Sequence, residues 1–278
     1  MDYAFYNGLY TEYGEMKIPL RDRSIYFGDG VYDCMIGGAK GVYQLSLHIE
    51  RLRKNAELLS LSLPYSDGEL SDIINRLVTL SSLDEYTVYI QLSRVSERRS
   101  HACSDFGRSS LLVTVTETAV PREYETASLI SLEDVRYKMC NVKTLNLLPA
   151  VLASERAERD GHDEAVFVRD GTVTECAHSN IFAFIGGKLV THPESRYILP
   201  GITRRSVLLT ARNLGIRCEE RCFTLDELLE SDGAFITSTT RLVRGVDSVD
   251  GIPISSAASP TVKRIFLQIL SDYLVFCC

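Results

Sequence analysis

The chain has 278 residues, 45% of them hydrophobic, enough for one large or two medium cores. A formal net charge of -7 and the lack of any long lysine or arginine run argue against a nucleic-acid partner, which leaves small molecules and further copies of the chain. The opening residues, MDYAFYNGLYTEYGEMK, hold early acids and no continuous apolar stretch, so neither a secretory signal nor a membrane span is drawn from them and a cytoplasmic enzyme is expected.

From Gly30 to Tyr43 a β-rich run is interrupted by Gly37-Gly38, which predicts a hairpin turning there, with Tyr32 pointing from its strand. In HIERLRKNAELLSL the residues Ile49, Leu52, Ala56 and Leu59 fall at helical spacing, and Leu70, Ile73, Ile74, Leu77 and Val78 repeat the pattern in a second helix. YTVYIQLSRV and LLVTVTE read as strands. The loop between them, SERRSHACSDFGRSS, is too charged for a core and is a candidate binding element.

Proline and charges interrupt the pattern between Thr118 and Glu123, so the expected domains are 1–120, α/β and carrying the charged loop, and 121–278, larger and mixed α/β. In the second, VRYKMCNVK reads as a strand and LPAVLASERAERDG as a helix closed by Gly161, which puts Lys143 at a strand-to-helix transition. Asp170-Gly171 and Gly186-Gly187 each predict a hairpin, and Glu175 ends one of those strands. Gly201-Ile202-Thr203 leads into a helix with Val207, Leu208, Ala211 and Leu214 on one stripe, ended by Gly215. GAFITSTT is a strand finishing in small polar residues, and Ser259-Pro260 reads as an N-cap followed by a first-turn proline.

None of the eight cysteines forms a C-x-x-C pair, and Cys218 and Cys222 lack a second pair with histidines at zinc spacing, so no metal site is expected. The terminal Cys277-Cys278 follows a predicted amphipathic helix rather than a polar tail and is not read as a lipidation signal.

Lys143 alone reads either as a solvated edge lysine or as an amine doing chemistry. A lysine captures carbonyls when desolvation or a neighbouring cation lowers its pKa, and a packed strand end facing a cleft supplies that environment. The amino end of the helix opened by Gly201-Ile202-Thr203, with the hydroxyls of Ser238, Thr239 and Thr240, suits one phosphate, although helix capping also explains these residues. Glu175 reads as a solvated carboxylate or as a partner for a protonated ring nitrogen.

Taken in order, FGDGVYD (27–33), HIERL (48–52), VKTLNLL (142–148), VTE with SNIF (173–182), LPGITR (199–204) and TSTT (237–240) resemble the fold-type IV (class IV) pyridoxal-phosphate aminotransferases, and among them the D-amino-acid aminotransferases. The resemblance spans nearly the whole chain. It implies a two-domain α/β fold with a smaller N-terminal domain and a larger C-terminal mixed α/β pseudo-barrel, and pyridoxal 5′-phosphate as cofactor. It makes Lys143 the Schiff-base lysine and proton shuttle, Glu175 the partner of the pyridine nitrogen and Leu199 a packing contact to the ring. Arg51, Ile202, Thr203 and Thr239 would hold the phosphate, with Ser238 at its edge, and Tyr32 would line the substrate pocket.

Arg99-Ser100-His101 matches an arginine and a histidine that, in those enzymes, trap the substrate α-carboxylate across a homodimer with shared sites. The chain departs from the pattern in an additional Arg98, in Tyr137 where tryptophan is usual, and in Cys176-Ala177-His178 in place of a Gly/Ser-rich run. These leave the substrate side chain open, and His178 is expected to pack rather than to act as a base. The resulting expectation is ping-pong transfer of an amino group from a D-amino acid, D-alanine being one candidate, to a 2-oxo acid such as 2-oxoglutarate. Branched-chain L-aminotransferase and aminodeoxychorismate lyase are alternatives of the same fold, disfavoured by the Arg-x-His spacing. A non-catalytic cofactor-binding protein is the alternative of another class.

Overall fold

The computed structural model describes residues 1–277 apart from residue 106. One unit takes Met1–Val120, the stretch Val142–Asn146 and the chain from Tyr273 onward; the other takes Pro121–Asn141 and Leu147–Asp272. This differs from a cut into 1–120 and 121–278 at two stretches, and hydrogen bonding explains both. Tyr32 N–H donates to the Lys143 carbonyl at 2.9 Å, and the Tyr273 hydroxyl donates to the Gly37 carbonyl at 3.3 Å.

The first unit runs β1 (Tyr3–Tyr6), β2 (Leu9–Glu12), α1 (Arg23–Phe27), β3 (Gly30–Gly38), β4 (Gly41–Val42), α2 (Leu45–Leu58), α3 (Asp67–Ser81), β5 (Tyr86–Arg94) and β6 (Ser109–Glu117). Its strands form one six-stranded antiparallel sheet in the order β2-β1-β6-β5-β3-β4. Val31, Met35, Val88, Ile90 and Val113 of the sheet share a core with Ile49, Leu52 and Ala56 of α2 and with Leu70, Ile74 and Leu77 of α3. That is the burial a helical apolar stripe requires. Ser66 and Glu69 close the start of α3 in a reciprocal capping box.

The hairpin turns two residues later than the sequence suggests, because Gly38 pairs with Gly41 and the turn falls on Ala39 and Lys40. Gly37 and Gly38 are strand residues kept small by their neighbours. A Cβ on Gly37 would stand 2.4 Å from the Tyr86 ring, and one on Gly38 2.5 Å from the Cys277 carbonyl oxygen.

The second unit contains β7 (Thr126–Glu133), α4 (Leu148–Arg159), β8 (Glu164–Arg169), β9 (Thr172–Cys176), β10 (Asn180–Ile185), β11 (Lys188–Thr191), α5 (Ile202–Asn213), β12 (Cys218–Glu220), α6 (Leu225–Leu229), β13 (Ala234–Ser238), β14 (Leu242–Val249) and β15 (Ile252–Pro253). The helix α7 (Ser259–Cys277) starts here, with Pro260 in its first turn. Eight strands run in the order β12-β11-β10-β13-β14-β7-β8-β9, and β15 pairs with β14. The parallel pairs β7/β8 and β11/β12 are each joined through a helix, α4 or α5, as parallel neighbours require. Cys176 N–H donates to the Ser179 carbonyl at 2.7 Å, which turns the end of β9 back beside β10.

Both predicted hairpins have positive φ at the two turn residues, +50° and +76° at Asp170-Gly171 and +58° and +73° at Gly186-Gly187. The strand expected over VRYKMCNVK does not form. β7 ends at Glu133, and the Asp134 carboxylate then accepts the Arg136 N–H at 3.1 Å and its Nε–H at 2.9 Å, a local turn that takes the chain out of the ladder. On α4 only Ala153 and Ala157 are buried, whereas Leu148, Val151 and Leu152 stay exposed. Of the terminal cysteines, Cys277 is buried and Cys278 lies outside the described residues.

Gly37→Ala should destabilise the protein by about 1–3 kcal/mol, the cost of overpacking a filled core. Urea unfolding followed by tyrosine fluorescence measures it, and an unchanged midpoint would show that the Tyr86 ring can yield.

Candidate active site

Lys143 belongs to no strand, yet its backbone is fixed. Besides the Tyr32 bond, Leu145 N–H donates to the Gly30 carbonyl at 3.1 Å, and Val31 and Thr144 form an isolated antiparallel bridge. The segment thus occupies the side of β3 that the two-residue β4 leaves open. Its ammonium lies 4.3 Å from the centre of the Tyr32 ring, which stacks on Tyr89 at 5.4 Å. A cation over an aromatic face is held electrostatically. Cys34, two residues along the same face of β3, has its thiol pushed up to about 11 by burial, against the opposing pull of the Lys143 charge.

On the other face of β3, Asp33 is fully buried. Its Oδ2 accepts from Arg51 Nε at 2.8 Å, its Oδ1 accepts from an Arg51 Nη at 2.8 Å, and His48 Nδ1 lies 2.7 Å from Oδ1. His48 and Arg51 stand three residues apart on α2 and so share a helix face. Burial would raise the Asp33 carboxyl, but the Arg51 charge and the His48 and Arg51 hydrogen bonds override it and hold the group well below the usual carboxylate range. Burial drives the His48 ring downward despite the Asp33 carboxylate beside it. A planar guanidinium gripped at two nitrogens has a fixed orientation.

Arg99 and His101 are exposed and form a separate grouping, both against Phe27, at 5.2 Å for the guanidinium carbon and 5.4 Å between rings. Of the expected first-unit residues, the structure therefore joins Lys143 with Tyr32, and sets Arg51 with Asp33 apart from Arg99 with His101.

In the second unit, Glu175 is buried near the end of β9. Its Oε1 accepts from an Arg136 Nη at 2.5 Å, and its Oε2 accepts from Asn180 Nδ2 at 3.0 Å and from Leu199 N–H at 2.9 Å. Asn180 Nδ2 also donates to the Leu199 carbonyl at 2.9 Å, so one amide ties Glu175 to Leu199. The same side chain explains Gly201, where a Cβ would stand 2.1 Å from Asn180 Oδ1. Gly201 is the N-cap of α5 and supplies no capping side chain; Ile202 and Thr203, both buried, follow in the first turn, whose amides lack intrahelical acceptors. Asn180 pairs in register with Thr237, which aligns the start of β10 with the end of β13, where Ser238 and Thr239 follow. The Ser238 hydroxyl accepts Arg241 N–H at 3.3 Å and so also closes that turn.

The sequence reading missed Asp33, Arg136 and Asn180. An acid inside the apolar strand run of β3 was a signal for the first; an arginine two residues after Asp134 carried none. His178 is exposed, with its Nδ1 3.2 Å from the buried Glu164, whose carboxyl burial pushes up. Among the described residues no cluster of histidine, cysteine, aspartate or glutamate is arranged to hold a metal ion, and no helix is long and apolar enough to cross a membrane.

The family model for amino-transferase class IV matches residues 30–249. The D-alanine aminotransferase of Bacillus licheniformis is 35% identical over 269 residues, 94% of this chain and 94% of that one. That of Listeria monocytogenes serotype 4b (strain F2365) is 33% identical over 277 residues, covering 98% of this chain and 96% of its own. Among solved structures, a branched-chain amino acid aminotransferase of T.th. complexed with N-(5′-phosphopyridoxyl)-L-glutamate superposes with a TM-score of 0.90 at 24% identity, over 99% of this chain and 94% of that one, a likeness of fold.

Asp33→Ala takes two acceptors from a buried guanidinium and should destabilise the protein by about 3–5 kcal/mol. Because the Asp33 carboxyl is depressed in the folded state, its contribution is complete above the unfolded value of about 4 and fades only as pH falls further. The stability gap between wild type and variant should therefore be flat from about pH 5 upward and narrow below about pH 4. Unfolding midpoints measured across that range would contradict this if the gap instead closed at neutral pH.

Proposed function

The chain belongs to the class IV amino-transferase family, and we propose that it moves an amino group from a D-amino acid, such as D-alanine, to a 2-oxo acid, such as 2-oxoglutarate, in a ping-pong order. The observation that carries this reading is the similarity to D-alanine aminotransferases along almost the whole chain.

Pyridoxal 5′-phosphate supplies an electron sink for the charge left when the substrate α-proton departs. Two features of the structure fit it. The first turn of α5 offers backbone amides that no side chain caps, which suits a phosphate, and Glu175 is a buried carboxylate steadied by three donors, which suits a protonated ring nitrogen. We assign the cofactor's attachment to Lys143, its phosphate to Arg51, Ile202, Thr203 and Thr239 with Ser238 at the edge, its pyridine nitrogen to Glu175 and its ring face to Leu199. Lys143, once freed by the incoming amine, would take the substrate α-proton and pass it on the same face to the cofactor's carbonyl-derived carbon, and the hold on its backbone would keep that amine on one line of approach.

Tyr32 lines the substrate pocket in this reading, and Arg99 with His101 binds the α-carboxylate of a substrate in the neighbouring subunit. Fixing that carboxylate while the lysine works from one face leaves one enantiomer with its α-hydrogen toward the base. We further propose a homodimer in the cytoplasm. The exposed Leu148, Val151 and Leu152 of α4 give an apolar face that a second copy would cover, and none of the described cysteines forms a disulfide.

An amino-donor panel decides the substrate: D-alanine should be preferred over L-alanine and L-leucine, and a clear preference for L-leucine would replace this reading with a branched-chain one. Borohydride reduction followed by peptide mapping should find the cofactor fixed on Lys143; an adduct on another lysine would refute its role. Glu175→Gln should keep the cofactor bound while kcat falls roughly ten- to a hundredfold, the equivalent of about 1.5–3 kcal/mol for a hydrogen bond to a charged group. An unchanged kcat, with chemistry rate-limiting, would remove Glu175 from the mechanism.

A further inference from the structure

Arg23 is a buried arginine on α1 for which the proposed chemistry has no use. Its Nε donates to Asp29 Oδ2 at 2.8 Å, one Nη donates to the Ser100 carbonyl at 2.6 Å, and the other donates to the His101 carbonyl at 3.1 Å. The guanidinium therefore grips two successive carbonyls of the loop that displays Arg99 and His101. Its own footing is rigid. Asp29 also accepts from Arg94 Nε at 3.0 and 3.1 Å and its carbonyl takes Arg94 N–H at 3.0 Å, while the Arg94 Nη groups reach the Leu59 and Ser60 carbonyls at 2.9 and 3.1 Å.

Two further contacts reinforce this. Glu97 lies 3.6 Å from an Arg23 Nη and accepts Ser104 N–H at 3.2 Å, which closes the loop on itself. Hydrogen bonds from Ser104 hold the Glu97 carboxyl below its ordinary range, so it faces Arg23 as an anion at neutral pH. Phe27, whose ring carries Arg99 and His101, also lies 4.7 Å from the Arg23 guanidinium carbon.

We propose that Arg23 is the positioning residue of the carboxylate-recognition loop: it fixes the backbone of Ser100 and His101 so that Arg99 and His101 are aimed before substrate arrives. This rests on the carboxylate-binding reading of that loop. A lysine cannot replace it fully, because a point charge does not offer three N–H groups in fixed directions to a carboxylate and two carbonyls.

The test uses Arg23→Lys, Arg23→Gln and Arg99→Ala in the cofactor-loaded enzyme. With Arg23→Gln, KM for D-alanine and for 2-oxoglutarate should rise about tenfold or more while kcat changes little, and Arg23→Lys should recover part of the loss. Adding Arg23→Gln to Arg99→Ala should cost less than the product of the two separate losses, since Arg23 acts in part through Arg99. Hydrogen–deuterium exchange should quicken in the loop from Glu97 to Asp105 and stay slow in β5 and β6. Independent, multiplying losses, a fall in kcat without a rise in KM, faster exchange throughout the first unit, or loss of the fold in both Arg23 variants would make Arg23 a general stabiliser and overturn the inference. If Arg99→Ala itself leaves KM unchanged, the carboxylate reading falls first, and the inference with it.

Discussion

The constraint on which the rest depends is the short stretch that returns from β7 to lie along β3. Two backbone hydrogen bonds, which together make the Val31–Thr144 bridge, seat residues 142–146 beside Gly30, Val31 and Tyr32. Lysine is among the most mobile side chains, and ordering it costs rotamer entropy. Here its backbone is already ordered by the sheet and its ammonium rests on an aromatic ring, so much of that cost is met in folding. A loop of the same sequence without the bridge would leave the amine free to sample solvent.

A second regularity is that buried or half-buried acids orient the arginines around them. Asp33 holds Arg51, Asp134 holds Arg136, and Asp29 holds Arg23, each through at least one hydrogen bond of 3.0 Å or shorter. Buried pairs of this kind contribute little net stability, because desolvation offsets the attraction. Their effect is directional, since a bonded guanidinium points one way. Asn180 does the same with a neutral amide, serving Glu175 and Leu199 together, and a Cβ at position 201 would push that amide out of place.

What the sequence disclosed and what it hid follow from the range of the forces involved. The turns at Asp170-Gly171 and Gly186-Gly187 were legible because a two-residue hairpin needs positive φ at both positions, a property of those residues alone. The apolar faces of α2 and α3 were legible from periodicity. The path from Asp134 to Leu147 was not, since its bonds go to β3, Arg169 and Arg196, far away in the chain, and its alternation imitates a strand. Gly37 and Gly38 imitate a turn for a similar reason: what keeps them small is Tyr86 and Cys277. The candidate lysine, glutamate and helix start were visible through their resemblance to a family, whereas Arg136 and Arg23 look in sequence like any solvated charge.

The end of α7 has a bearing on how the chain comes to be folded at all. The Tyr273 hydroxyl lies within hydrogen-bond reach of the Gly37 carbonyl and the Glu85 carboxylate, separations of 236 and 188 residues, and Cys277 fills the space beside Gly38. The unit whose strands leave the ribosome first is thus among the last to be finished. Through most of synthesis the glycine end of β3 has no cover, and an uncovered strand is where chains associate wrongly. Contacts this distant also slow folding, because the closure entropy of the intervening chain must be met before they form. The glycine end of β3 is therefore where the chain is most open to misassociation before its last helix is in place.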